Sequence, residues 1–264
     1  MASQLIVFFR RGRIVPSGTG GQRKRRQGVY GVDAPYALFG LGCGAVGATL
    51  AGFGTLSGPG TGVAWLPFLC ALVMAAAFVL YVHATRRGKF TVWEDLLDGL
   101  ELRGNERLLD LGCGRGAVLL AGARRVPQGR AVGVDLWRGV DQTGNAASAT
   151  ARNARVESVQ DRVELRTGDL RDLPFGDGEF DVVLSSLAIH NIKDAEGRRR
   201  AVTEAVRVLR PGGRLVIVDI GGSVSFYRDV LETLPVSGLG VRSAGWRMWW
   251  GGPWMRTRVA TASG

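Results

Sequence analysis

At 264 residues, with 46% hydrophobic and 22% charged residues, the chain is too apolar to be disordered, and its 40 glycines follow no collagen-like period. Three cysteines and two histidines, with no Cys-x-x-Cys pair, argue against a disulfide framework and against a metal site. The net charge of +11 is concentrated in residues 1–90, which carry ten Lys/Arg and one acid, so the nearly balanced remainder is not expected to bind nucleic acid.

Residues 1–33 read as a basic, disordered cytoplasmic tail. From 34 to 85 there is no Asp, Glu, Lys or Arg. Turn residues at 57–62 divide this stretch into apolar segments at about 36–56 and 63–82, each long enough to cross a hydrocarbon core of roughly 30 Å. Arg10, Arg11, Arg13, Arg23, Lys24, Arg25 and Arg26 precede the first segment, and Arg86, Arg87 and Lys89 follow the second. Basic flanks stay in the cytoplasm, so both ends are expected inside and the connection outside. The expected location is therefore a membrane (a bacterial inner membrane), spanned twice, with the lipid bilayer as a partner. Gly40-x-x-x-Gly44 and Gly47-x-x-x-Ala51 place small residues where two helices could approach closely. A buried helical hairpin of a soluble protein is the competing reading.

From 91 onward, strand and helix patterns alternate. The pattern predicts a helix over 91–100, a strand over 107–111, a helix over 117–126, a strand over 131–135, a helix over 144–159, and strands over 163–167 and 180–185. A helix over 195–209 follows, N-capped by Asp194 and stopped by Pro211-Gly-Gly. A strand over 215–219, a helix over 224–234, and strands near 240–248 and 256–261 complete the chain. Such alternation builds an open, mostly parallel sheet with helices on both faces, and ligands lie beyond the carboxyl ends of its strands.

The informative residues stand at those strand ends. Asp110-Leu-Gly-Cys-Gly-Arg-Gly116 closes the first strand, and Gly112, Gly114 and Gly116 permit a tight turn and close approach of backbone to ligand. A nicotinamide-binding turn is spaced Gly-x-Gly-x-x-Gly, unlike this one. Asp135 ends the second strand, where a carboxylate can accept hydrogen bonds from ribose hydroxyls. Gly168-Asp169-Leu170 ends the third. Phe180-Asp-Val-Val183 and Leu209-Arg-Pro-Gly-Gly213 follow.

Taken in order, this series resembles that of the class I S-adenosylmethionine-dependent methyltransferases over residues 91–264. The resemblance implies a Rossmann-like α/β fold with a seven-stranded sheet of order 3-2-1-4-5-7-6, strand 7 antiparallel, preceded here by the two-helix transmembrane hairpin. It implies S-adenosyl-L-methionine as cofactor and methyl donor, held by Asp110, Gly112, Cys113, Gly114 and Gly116 around its methionine part. Asp135 would hold the ribose, Leu136 would pack on the adenine, and Gly168, Asp169 and Leu170 would hold its edge. Ser185 and Ser186 would lie beside the sulfonium. Cys113 reads as a small residue at a crowded turn, not a nucleophile.

His190 is the candidate general base, because it follows the fourth strand and an unperturbed imidazole titrates near neutrality. Asn191 could orient the acceptor. Between the last two strands, four tryptophans fall within Trp246–Trp254. Trp249, Trp250 and Trp254 could form a lid over an apolar acceptor, rest on the bilayer, or simply cover the sheet edge. The expected activity is methyl transfer by a membrane-anchored enzyme to a small, hydrophobic acceptor such as a lipid, quinone or isoprenoid. A non-catalytic module that only binds the cofactor, or a nicotinamide-dependent oxidoreductase, is the alternative.

Overall fold

A computed structural model describes residues 26–56, 63, 65–252 and 255–264. Helix α1 (Pro35–Leu56) opens on a proline, whose missing N–H is harmless in a first helical turn. Helix α2 (Trp65–His83) continues through a π-helical turn (Ala84–Gly88) into α3 (Lys89–Asp98), giving one helical run of 34 residues. By length and composition, α1 and the α2–α3 run are each able to cross a membrane. Against α2, Gly44 faces Met74 and Gly52 faces Phe68, whereas Gly40 and Gly47 meet nothing, so only part of the small-residue spacing is used in packing. Phe53 and Phe68 meet edge to face. The outer faces of both helices stay bare, with Phe39 72%, Leu50 65% and Leu72 66% exposed.

The seven strands are β1 (Arg107–Leu111), β2 (Arg130–Asp135), β3 (Val163–Thr167), β4 (Phe180–Ser186), β5 (Leu209–Ile220), β6 (Ser237–Ser243) and β7 (Thr257–Ser263). Their spatial order is β3-β2-β1-β4-β5-β7-β6. All pairs among the first five are parallel, and β7 runs antiparallel to both β5 and β6. The expected sheet is therefore present. Its central strands are almost wholly buried, as strands covered on both faces must be. Helices α3, α4 (Leu119–Ala123) and α5 (Ala147–Val156) pack on one face; α6 (Ala195–Arg207) and α7 (Gly221–Leu231) pack on the other. Asp194 caps α6, accepting from the Gly197 N–H at 2.6 Å.

Several boundaries differ from expectation. The turn after β1 consumes residues 112–118, which shortens α4 to five residues. Pro211–Gly213 does not stand outside the strands: β5 starts at Leu209 and its pairing with β4 shifts register across this stretch. β6 ends at Ser243, and Trp246–Met248 is a 3-10 turn. Disorder expected over 1–33 does not hold for 26–33, while residues 1–25 lie outside the described residues. Val29 and Asn153 exchange two hydrogen bonds at 2.9 and 3.0 Å, and Tyr30 Oη donates to Glu157 at 2.8 Å. This strap fastens the start of α1 to α5.

Candidate active site

A cavity of about 570 Å³ opens at the carboxyl ends of β1 to β4. Asp110, Gly112, Cys113, Gly114, Asp135, Leu136, Gly168, Asp169, Leu170, Ser186, His190 and Asn191 line it. Gly112 and Gly114 have φ of +71° and +50°, a region open to glycine at no steric cost. A Cβ at Gly114 would lie 2.7 Å from Gln142 Oε1, and one at Gly112 would strike the Ala188 side chain. The turn is thus shaped by backbone alone. Asp135 Oδ2 accepts from the Gly114 N–H at 2.8 Å, while its Oδ1 accepts from the Trp137 N–H and from Asn145.

Asp110 is the anomaly of the site. It is 1% exposed, and neither carboxylate oxygen has a hydrogen-bond partner of good geometry. Burial, aided by the nearby Asp135 charge and opposed by the Leu119 amide, pushes its pKa up to about 8. A buried, unpartnered carboxyl at the edge of a cavity is a place for a cation. Asp169, by contrast, is held below the usual carboxylate range by the Arg171 guanidinium, which it meets at 2.6 Å.

His190 sits in a 3-10 turn after β4 (Ile189–Asn191). Its Nδ1 lies 2.6 Å from Oδ1 of Asp219, which is fully buried at the end of β5. Asp219 also accepts from the Ile220 N–H at 2.8 Å and from Tyr227 Oη at 3.0 Å. Burial lowers the His190 pKa, but the hydrogen bond to Asp219 and its charge outweigh that, so the imidazole titrates above its ordinary value. With Nδ1 engaged, Nε2 is the ring nitrogen left to exchange protons in the cavity.

Three predicted residues do not reach the cavity wall. Gly116 packs instead on Leu120 and Thr150. Ser185 is fully buried and donates to the Leu111 carbonyl at 3.3 Å, because successive strand residues point to opposite faces; Ser186 takes the cavity side and accepts from Trp93 Nε1 at 2.8 Å. Trp249 is not on the wall, Trp250 is, and Trp254 lies outside the described residues.

Sequence reasoning missed Asp219, Gln142 and the wall contributed from outside the sheet: Asp33, Tyr81, Lys89, Phe90 and Trp93. Asp33 pairs with Lys89 at 2.6 Å, accepts from Thr85 at 2.9 Å, and takes the Gln142 side-chain N–H at 2.9 Å on its other oxygen. Gln142 Oε1 in turn accepts the Arg115 N–H of the glycine turn at 2.8 Å. Asp219 carried a findable signal, an acid ending an otherwise apolar strand. The Asp33 network carried none, since its members are scattered from residue 33 to residue 142.

The seven-stranded order, the glycine turn and the three strand-end acids define a class I methyltransferase fold. Residues 109–217 match the family model described as a methyltransferase domain. Among curated relatives, the ubiquinone/menaquinone biosynthesis C-methyltransferase of Dinoroseobacter shibae is 36% identical over 133 residues, half of each chain. The 27-O-demethylrifamycin SV methyltransferase of Amycolatopsis mediterranei is 35% identical over 139 residues, 52% of this chain and 47% of the other. The chain spans about half the length of these relatives. Among solved structures, the geranyl diphosphate C-methyltransferase of Streptomyces coelicolor A3(2) covers 79% of this chain and 86% of its own at 17% identity, with a TM-score of 0.53. Residues 109–217 therefore carry a methyltransferase domain, and the sheet around them has the class I S-adenosylmethionine-dependent methyltransferase fold.

Proposed function

We propose that this protein is a membrane-anchored methyltransferase that uses S-adenosylmethionine to methylate a small amphipathic acceptor of the quinol or isoprenoid-lipid kind. One observation carries the reading. A single cavity holds the cofactor-type cradle and His190, which the buried Asp219 backs, and its wall continues onto Tyr81 at the inner end of α2. The bare apolar faces of α1 and α2 support a hairpin that spans the bilayer twice, with the sheet domain on the cytoplasmic side. Relatives named as a ubiquinone/menaquinone biosynthesis C-methyltransferase and a demethylmenaquinone methyltransferase, at 36% and 31% identity, support the acceptor class.

The residues present suit the cofactor. Asp110 offers a buried carboxyl to its ammonium group, Gly112 and Gly114 would flank its methionine part, and Asp135 would accept from its ribose hydroxyls. Leu136 and Leu170 provide apolar surface for the adenine. When bound, S-adenosylmethionine supplies an electrophilic methyl group on a sulfonium. The protein's task is then largely alignment of the acceptor, in a site walled by Phe90, Trp93 and Trp250. His190 Nε2 takes the proton that the acceptor gives up, and Asp219 steadies the imidazolium as it forms.

The test is turnover by the full chain in lipid nanodiscs, with labelled cofactor and a membrane lipid extract. The expected product is a prenyl quinol or related lipid heavier by one CH2. Cofactor binding without any methylated lipid would favour a module that only binds the cofactor, and binding of a nicotinamide in preference would overturn the reading.

A further inference from the structure

The tryptophan-rich loop between β6 and β7 packs against α2 rather than against the sheet edge alone. Trp250 meets Tyr81 edge to face at 5.0 Å, and Trp246 stacks on His83 at 4.9 Å. Further along α2, Gly251 lies against Ala77, where a Cβ would come 2.7 Å from the Ala77 carbonyl oxygen. Ala77 is six residues before the end of α2, about 9 Å along the helix axis. A loop of the sheet domain therefore climbs alongside the apolar helix by more than a turn. At its base, a Cβ on Gly88 would run into the Arg247 carbonyl, so the π-turn is shaped to admit the loop.

The surface around this junction has the chemistry of a membrane interface. Trp246 remains 61% exposed although it is a large aromatic, and an indole with one wet edge is suited to headgroup depth. Arg86 and Arg87 are exposed on the π-turn that this loop touches, and Arg247 is about half exposed. Basic residues at the end of an apolar helix attract anionic headgroups.

We infer that residues 246–252, together with Arg86 and Arg87, form a lipid-contacting element that seats the sheet domain on the anionic surface of the cytoplasmic leaflet. The inference rests on the reading of α1 and α2 as membrane-spanning. Its consequence is positional. Trp250 belongs to this loop and also to the cavity wall, so the acceptor cavity abuts the leaflet, and an amphipathic acceptor reaches it without crossing water.

The experiment uses the full chain with Cys43 and Cys70 replaced by alanine and the buried Cys113 kept. A single cysteine is placed at Trp246→Cys or, in a second sample, at Leu50→Cys, and is labelled with an environment-sensitive fluorophore. The protein is reconstituted in phosphatidylcholine vesicles with or without phosphatidylglycerol. The label at 246 should be quenched by lipids spin-labelled high on the acyl chain and shielded from aqueous iodide. In the phosphatidylglycerol vesicles, Arg86→Glu or Arg87→Glu should each reduce that shielding about five-fold, the equivalent of the ~1 kcal/mol that one basic residue contributes near an anionic surface. Free iodide access at 246, with the Leu50 label quenched by deep spin-labelled lipid, would overturn the inference and leave the spanning hairpin standing. Iodide access at both positions would overturn the hairpin and the inference together.

Discussion

Replacing Asp110 by asparagine should stabilise the free protein and weaken its hold on the cofactor. Asp110 is fully buried, and its pKa is pushed up to about 8. Below about pH 4 the folded and unfolded chains both carry the proton, and the residue has no effect on stability. Between about pH 4 and pH 8 only the folded chain keeps it, so stability falls by ~1.4 kcal/mol for each unit of rising pH. By pH 7 the accumulated cost is about 4 kcal/mol. Asparagine resembles the neutral acid in shape and cannot ionise, so it should recover most of that cost. The thermal midpoint of free Asp110→Asn should lie above that of the wild type at pH 7 to 8, and the two should converge near pH 4. Binding should show the reverse. An ammonium group beside Asp110 favours the carboxylate, so cofactor binding at pH 7 should release about 0.9 proton, the fraction held by a group of pKa 8. The variant should release none, and should bind about 1.5–3 kcal/mol more weakly, the range for a hydrogen bond to a charged group. Calorimetry in buffers of different ionisation enthalpy reads both quantities. Absence of proton release, together with a destabilised variant, would refute the assignment of Asp110 as an empty cation seat.

The His190–Asp219 pair predicts a pH signature. A base must be neutral to act, so turnover should rise with pH through the raised His190 pKa; Asp219→Asn should move that midpoint to lower pH and slow turnover, with cofactor affinity held, and an unmoved midpoint would sink the pairing. His190→Ala should lower turnover by about 10²–10⁴ and abolish that pH limb. Gly114→Ala places a methyl 2.7 Å from Gln142 Oε1 at a φ of +50°, and should cut cofactor affinity by about ten-fold or more, read by titration; unchanged affinity would show that the turn adapts. In intact cells, cysteines placed in the 57–62 connection should react with an impermeant reagent and one at Arg87 should not; the opposite pattern would invert the proposed topology.

What the sequence disclosed, and what it hid, divides by distance along the chain. The acids at Asp110, Asp135 and Asp169 were legible because each motif is a strand end and a turn, contiguous in sequence, whereas the strand order came only from the family resemblance that the motif series carries. Choosing Ser186 over Ser185 was also within reach, since strand alternation allows only one of two neighbours to face the ligand. Asp219 was hidden as a partner because its nearness to His190 arises only when β4 and β5 pair in parallel register. The Asp33–Lys89–Gln142 network and the 26–33 strap were hidden for the same reason, spanning up to 130 residues of separation.

The junction between α2 and α3 shows how such hidden contacts reshape a local reading. Arg86, Arg87 and Gly88 look like the end of a membrane segment, and a break before the next helix at 91 is the natural expectation. The chain instead stays helical, because no proline intervenes and the π-turn keeps Ala84, Thr85 and Lys89 buried. That burial is what sends Lys89 and Thr85 to Asp33, and Phe90 and Trp93 into the cavity wall. A flexible linker at 84–90 would have left the hairpin as a tether. A continuous helix makes its inner end a structural part of the active site. Gly88 is the residue that permits this, since any side chain there meets the Arg247 carbonyl. Gly88→Ala should therefore displace residues 246–252 while the sheet stays folded. Trp250 would leave the cavity wall, and the Michaelis constant for a bilayer acceptor should rise while cofactor affinity holds. A Gly88→Ala protein with an unchanged acceptor constant would show that the loop and the hairpin are not coupled.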